Sequence, residues 1–147
     1  MAIQITPTTR QKRFFTVAQK QSMQSTYARH KGNRGNGKIC IGSAIVKGNY
    51  VVSKGMNKTK THTRQLIHNK KHSFIAPAPR IHAEIDALIA SRFNDLTGCE
   101  VFVYREMADG TLANCRPCPA CMGAMIAAGI KHIYYTTENG YFYERIS

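Results

Sequence analysis

A chain of 147 residues, 43% hydrophobic and 20% charged, is long enough to enclose one hydrophobic core without disulfide staples. It carries 21 Lys and Arg against 8 Asp and Glu, a net charge of +13, and the excess lies before Glu84: residues 1–83 hold 16 cations and no acid, while residues 84–147 sum to −3. A basic half of this kind excludes a surface shaped by solubility alone and points to a polyanionic partner: nucleic acid, nucleotide phosphate or an anionic membrane surface.

Residues 8–30 read as a helix in which Phe14, Phe15, Val17, Ala18 and Tyr27 form an approximate apolar stripe. Phe14 and Phe15 are expected to pack rather than bind. The basic, glycine-rich KGNRGNGK at 31–38 is a loop. IGSAIV (41–46) and NYVVSKG (49–55) are β-branched runs either side of Lys47-Gly48, a hairpin signal. Residues 57–80 show no period and read as a long basic loop, with His62, His68 and His72 expected to be solvated. Ile81, Ile85, Leu88 and Ile89 give a helical stripe running to about Phe93. EVFVYR (100–105) is a strand, Asp109-Gly110 a turn, and 117–128 a second buried helix. HIYYTT (132–137) is a strand in which alternation points one of Tyr134 and Tyr135 inward and leaves the other to stack on a base. Asn139-Gly140 then predicts that 141–146 runs back antiparallel. The order α-β-β-α-β-α-β-β suggests a three-layer α/β/α sandwich around one mixed five-stranded sheet.

No run of about 18 apolar residues is present, and Met1 to Arg13 has no signal-peptide core. The chain is therefore expected inside the cell, in the cytoplasm and off the membrane. Three of its five cysteines, Cys115, Cys118 and Cys121, fall within seven residues, a spacing that suggests metal ligation over a disulfide framework. Cys40 and Cys99 are expected to be buried small hydrophobes.

Two motifs carry chemistry: His82-Ala83-Glu84 and Pro117-Cys118-Pro119-Ala120-Cys121. Both open a predicted helix, where the positive end of the dipole favours thiolate over thiol. Cys118 and Cys121 are three apart and share one face of the first turn. One imidazole and two thiolates suit tetrahedral Zn²⁺ and leave its fourth position open, the catalytic arrangement. Glu84 lies two residues past His82, close enough to exchange a proton with a zinc-activated water. A closed structural site of Cys115, Cys118, Cys121 and His82 is the alternative; Pro117 opposes it by starting a helix there and leaving Cys115 as a near-site thiol.

The paired H-x-E and P-C-x-x-C motifs resemble the cytidine/deoxycytidylate deaminase superfamily of zinc-dependent nucleotide and nucleic-acid deaminases. The resemblance runs from about Ile41 to Tyr135 and includes Gly42 to Val46, Asn57, and Gly123 to Ile126. It implies a cytidine-deaminase-like fold, a single deaminase domain over 1–147 and one Zn²⁺ per chain. It also implies zinc held by His82, Cys118 and Cys121, and water activated for attack at C4 of cytosine or C6 of adenine. Glu84 would shuttle the proton. Asn57 would contact sugar or base, and the Ala83 N–H and Pro117 carbonyl would fix the base edge. Self-association into a homo-oligomer is implied as well. The antiparallel final pair is similar to the cytidine-deaminase-like branch and some nucleic-acid-editing branches. Deoxycytidylate and tRNA adenosine deaminases normally place a helix there and run the two strands parallel.

One phosphate needs roughly one or two cations, and sixteen without an acid exceed that number. Cytosine in single-stranded nucleic acid, DNA or RNA, is accordingly the first expectation, with the acid-free segment as its track to the zinc. A free cytosine nucleotide is the alternative. Adenosine in RNA and a non-catalytic, zinc-stabilised nucleic-acid-binding module follow.

Overall fold

The computed structural model of the chain describes residues 2–25, 39–59, 62–71, 80–92 and 95–147. The expected loop at 31–38, the last residues of the first helix and His72 lie outside them. In chain order the elements are β1 (Ala2–Ile5), α1 (Thr9–Gln24), β2 (Ile41–Lys47), β3 (Tyr50–Met56), α2 (Thr63–Lys71), α3 (Ala83–Ala90), β4 (Glu100–Arg105), α4 (Pro119–Ala127), β5 (His132–Thr137) and β6 (Gly140–Arg145). The six strands form one mixed sheet in the order β1-β6-β5-β4-β2-β3. Only β4 and β5 are parallel; the other pairs are antiparallel, including the β5–β6 hairpin expected from Asn139-Gly140. The expected five strands become six because Ala2–Ile5 pairs with β6.

Helix α1 starts at a capping box. The Thr8 hydroxyl accepts from the Gln11 N–H, and the Gln11 side chain accepts from the Thr8 N–H. Its inner face, Phe14, Phe15 and Ala18, packs on Ala44, Val46, Phe102 and Tyr104 on one side of the sheet. The alternate residues Ile45, Val101, Val103, Ile133 and Tyr135 face the other side and pack with α3 and α4. Two glycines set how closely the helices approach. A Cβ at Gly42 would collide with the Ala18 carbonyl and the Ser22 amide, and one at Gly55 with the Ala83 carbonyl and the Ala87 amide.

The 57–80 segment is not a continuous loop. Residues 63–71 form α2, whose buried residues are Gln65, His68 and Asn69. His68 is thus buried rather than solvated, while His62 is half-buried and its Nδ1 accepts from the Arg64 N–H at 3.0 Å. No helix among the described residues is long and apolar enough to cross a membrane.

Candidate metal centre and its cavity

The site lies at the carboxyl ends of the parallel pair β4 and β5, where open α/β sheets usually bind ligands. Two helix N-termini converge there. His82 is the N-cap of α3 and Cys118 the N-cap of α4, with Pro119 in the first turn. Neither residue caps its helix through its side chain. Both side chains turn instead toward the same point: His82 Nδ1 is 3.4 Å from Cys118 Sγ and 3.3 Å from Cys121 Sγ. The three ligand atoms all lie within 4.8 Å of one another. Zn–N and Zn–S bonds of about 2.0–2.3 Å at a tetrahedral angle separate ligand atoms by ~3.5 Å, so these residues fit a zinc ion. Cys115 is outside this group. Its buried thiol lies 3.3 Å from Thr136 Oγ1, and burial pushes it up to about 12. The closed four-ligand alternative therefore lacks its fourth member.

The two ligand cysteines are electrostatically unequal. A hydrogen bond from Cys121 lowers Cys118 to about 4 against the opposing effect of burial, and Cys121 is pushed up in turn. Burial alone would lower His82, but its hydrogen bond with Cys118 and the charges of Glu84 and Cys118 leave it raised. Glu84, in the first turn of α3, is buried beside the group, and desolvation raises its carboxyl to about 7, with His82 opposing.

A cavity of about 460 Å³ opens onto this centre, within the usual range for small-ligand sites. His82, Ala83, Glu84 and Cys118 line its floor, and Asn57 lines it too. Ile39, Ile41 and Ile81 give it an apolar wall, and Arg80, Arg105 and Arg116 bring cations to it. Cys121 and Pro117 are buried behind that lining. Tyr134 and Tyr135 are both packing residues and line no part of it. Tyr134 stacks on Phe102 with ring centroids 4.4 Å apart, and the Tyr135 hydroxyl donates to Glu144 at 3.0 Å.

Three supporting residues had no motif to announce them. Gln65 of α2, fully buried, accepts from the His82 N–H at 3.0 Å and donates to Asn69 Oδ1 at 2.8 Å. Thr136 at the end of β5 donates to the Ala113 carbonyl at 2.9 Å and accepts from the Arg105 N–H at 3.1 Å. It thereby pins the segment that leads from β4 into the cysteine turn. Glu144 of β6 holds Arg116 through two bonds, of 3.0 and 2.7 Å. Only the i, i+3, i+4 spacing of Gln65, His68 and Asn69 hints at one of these from sequence.

Among the described residues, the cations of the acid-free segment do not gather at the cavity. Arg10, near the start of α1, bonds Glu100 at 2.7 Å and the Gly48 carbonyl, and Arg13 reaches the Asn49 carbonyl, all at the β2–β3 turn end of the sheet. Lys58 is paired with Asp86 at 2.9 Å. Of the described cations before Glu84, only Arg80 lines the cavity.

Residues 11–137 match the family described as "Cytidine and deoxycytidylate deaminase zinc-binding region". A guanine deaminase of Bacillus subtilis strain 168 is 27% identical over 100 residues, which are 67% of this chain and 51% of that protein. The chain thus spans about half the length of that curated relative. Among solved structures, the dCMP deaminase of cyanophage S-TIM5 superposes with a TM-score of 0.57 at 21% identity, covering 89% of this chain and 84% of that one. Cytidine deaminase from Burkholderia pseudomallei superposes with a TM-score of 0.58 at 16% identity, covering 92% and 91%. At these identities the two structures share the fold.

Proposed function

The chain belongs to the cytidine and deoxycytidylate deaminase family, a family of zinc-dependent hydrolytic enzymes, and from that membership we propose that it converts the base of a free cytosine nucleotide to uracil, acting as one deaminase domain over residues 1–147. The observation that carries this reading is the cavity itself. It combines a three-ligand metal group, a buried carboxylate, an apolar wall for a planar base and cations for a phosphate.

Zinc held by His82, Cys118 and Cys121 would supply Lewis-acid activation of a water molecule. Glu84 would carry one proton of that water to the ring nitrogen, which keeps it, and the second, released as the attacking oxygen becomes the carbonyl, to the amine, which leaves as ammonia. Its burial suits a group that must hold a proton between two steps. The Ala83 N–H, at the positive end of α3, holds the base edge. Asn57 meets the sugar. Arg80 and Arg105, which have no carboxylate partner among the described residues, hold the phosphate. Two such cations match one phosphate. This supports a mononucleotide over the nucleic-acid strand suggested by net charge alone, because the cations at the α1 end of the sheet do not lead to the cavity. Cytosine in a single strand is the second reading, favoured by Arg29, Lys31, Arg34 and Lys38, which lie outside the described residues.

The test is turnover of zinc-loaded protein on deoxycytidylate, cytidine, guanine, and cytosine-containing single-stranded DNA and RNA, read by mass spectrometry. Uracil product from the free nucleotide is expected. Product confined to DNA or RNA overturns the mononucleotide reading, and product from guanine alone overturns the choice of base. Glu84→Ala should retain one zinc per chain and lose at least about 10²-fold in kcat; a variant that stays active overturns the role of Glu84.

A further inference from the structure

Asn57 reaches the cavity with its hydrogen-bonding direction already fixed. It is buried, and its Oδ1 accepts from the Ile41 N–H at 2.9 Å and faces the Ser25 hydroxyl at 2.7 Å. Its Nδ2 donates to the Ile39 carbonyl at 2.7 Å. An amide oxygen has two lone pairs and an amide nitrogen two hydrogens. Both acceptor positions are therefore engaged and one N–H is left for a ligand. Two backbone groups, one donor and one acceptor, exclude the flipped amide. Asn57 can thus only donate into the cavity, and the ligand atom it meets must be an acceptor.

Ser25 completes this arrangement from a distant part of the chain. It caps the end of α1, is fully buried, and its hydroxyl lies 2.8 Å from the Asn57 carbonyl and 2.7 Å from Oδ1, sharing one hydrogen between them. We propose that Ser25 is a positioning residue that ties the end of α1 to Asn57 and holds the Asn57 amide with its remaining N–H toward the ligand. This rests on the reading of the cavity as a nucleotide site. The hydroxyl touches no ligand itself; it acts through Asn57. Removing it frees the side chain to tilt, which weakens a contact made in ground and transition states alike and so raises KM more than it lowers kcat.

The experiment compares wild type, Ser25→Ala, Asn57→Ala and the double variant as zinc-loaded proteins acting on deoxycytidylate. Ser25→Ala is expected to raise KM about 3–10-fold, and to add nothing once Asn57 is already alanine. Ser25→Cys, which keeps a weak donor, should recover part of the loss. In parallel, nitrogen-15 NMR of the ligand-free protein should show the two Asn57 amide hydrogens as sharp, separate signals in the wild type and broadened signals in Ser25→Ala. An unchanged KM, an equal penalty in the Asn57→Ala background, or amide signals unaffected by Ser25→Ala overturns the proposal. If the wild type turns over no cytosine compound, the functional reading falls, while the NMR comparison still decides whether Ser25 holds Asn57.

Discussion

At the scale of single residues, the site depends on groups that never touch a substrate. Gln65 is the clearest case. The first N–H groups of a helix have no partner inside it, and the N-cap residue contributes another donor beside them. The side chain of His82 is turned to the metal group and cannot cap α3. The buried Gln65 carbonyl takes the His82 N–H instead. Gln65→Ala leaves that donor and Asn69 without their bonds, and an unmet buried hydrogen bond costs about 1–3 kcal/mol. The variant should lower the unfolding free energy by that amount in a urea titration and weaken zinc retention against a chelator. An unchanged chelator half-time would show that Gln65 does not hold His82.

At the scale of elements, α3 must lie close on β3, because it carries His82 and Glu84 together. Gly55 permits this by presenting no side chain to the Ala83 carbonyl. Gly55→Ala forces the helix outward, and overpacking of this kind typically costs 1–3 kcal/mol. Thermal unfolding should drop accordingly, and zinc should bind more weakly as His82 moves from the cysteines; a variant with wild-type Tm and zinc affinity would show that the two elements give way at no cost. The same elements show what sequence can reveal. The helices bearing the ligands were legible because short motifs sit at their starts and apolar stripes follow. Helix α2 was not, because its buried face is Gln65, His68 and Asn69: a polar face satisfied by hydrogen bonds leaves no hydrophobic period to read. Strand β1 was missed for a different reason. AIQI is four residues long, and its partner, β6, lies at the opposite end of the sequence. Asn57 was marked as a ligand contact from sequence, but the three groups that lock its amide belong to segments 16 to 32 residues away.

For the molecule as a whole, the described cations are spread over the fold and do not gather at the cavity. Three of the eight acids are used structurally: Glu100 holds Arg10, Asp86 holds Lys58, and Glu144 holds Arg116. Glu144 shows how this sets acid stability. The hydrogen bonds from Arg116, aided by Tyr135 and opposed by burial, hold its carboxyl below the ordinary value of 4.5. A depressed carboxylate stabilises the fold above its unfolded pKa, and that stabilisation is lost as pH falls through the lower folded value. Acid should therefore destabilise the wild type progressively below about pH 4.5. Glu144→Gln should be less stable at neutral pH by about 1–3 kcal/mol, and its stability should fall less steeply with acid. Parallel acid curves for the two proteins, followed by circular dichroism, would exclude this account.

The pairing of β1 with β6 sets Ala2 opposite Glu144 and Ile5 opposite Tyr141. During synthesis the first strand emerges from the ribosome long before its neighbour exists. Phe15 of α1 meets Phe102 of β4, but its other ring partners, Tyr134 and Tyr141, come only with β5 and β6. Such distant contacts make folding slow relative to chains built from local ones. The aromatic core is therefore incomplete until β6 has been made. β6 joins β1 to β5, so a ribosome stalled before β6 would leave β1 outside the sheet.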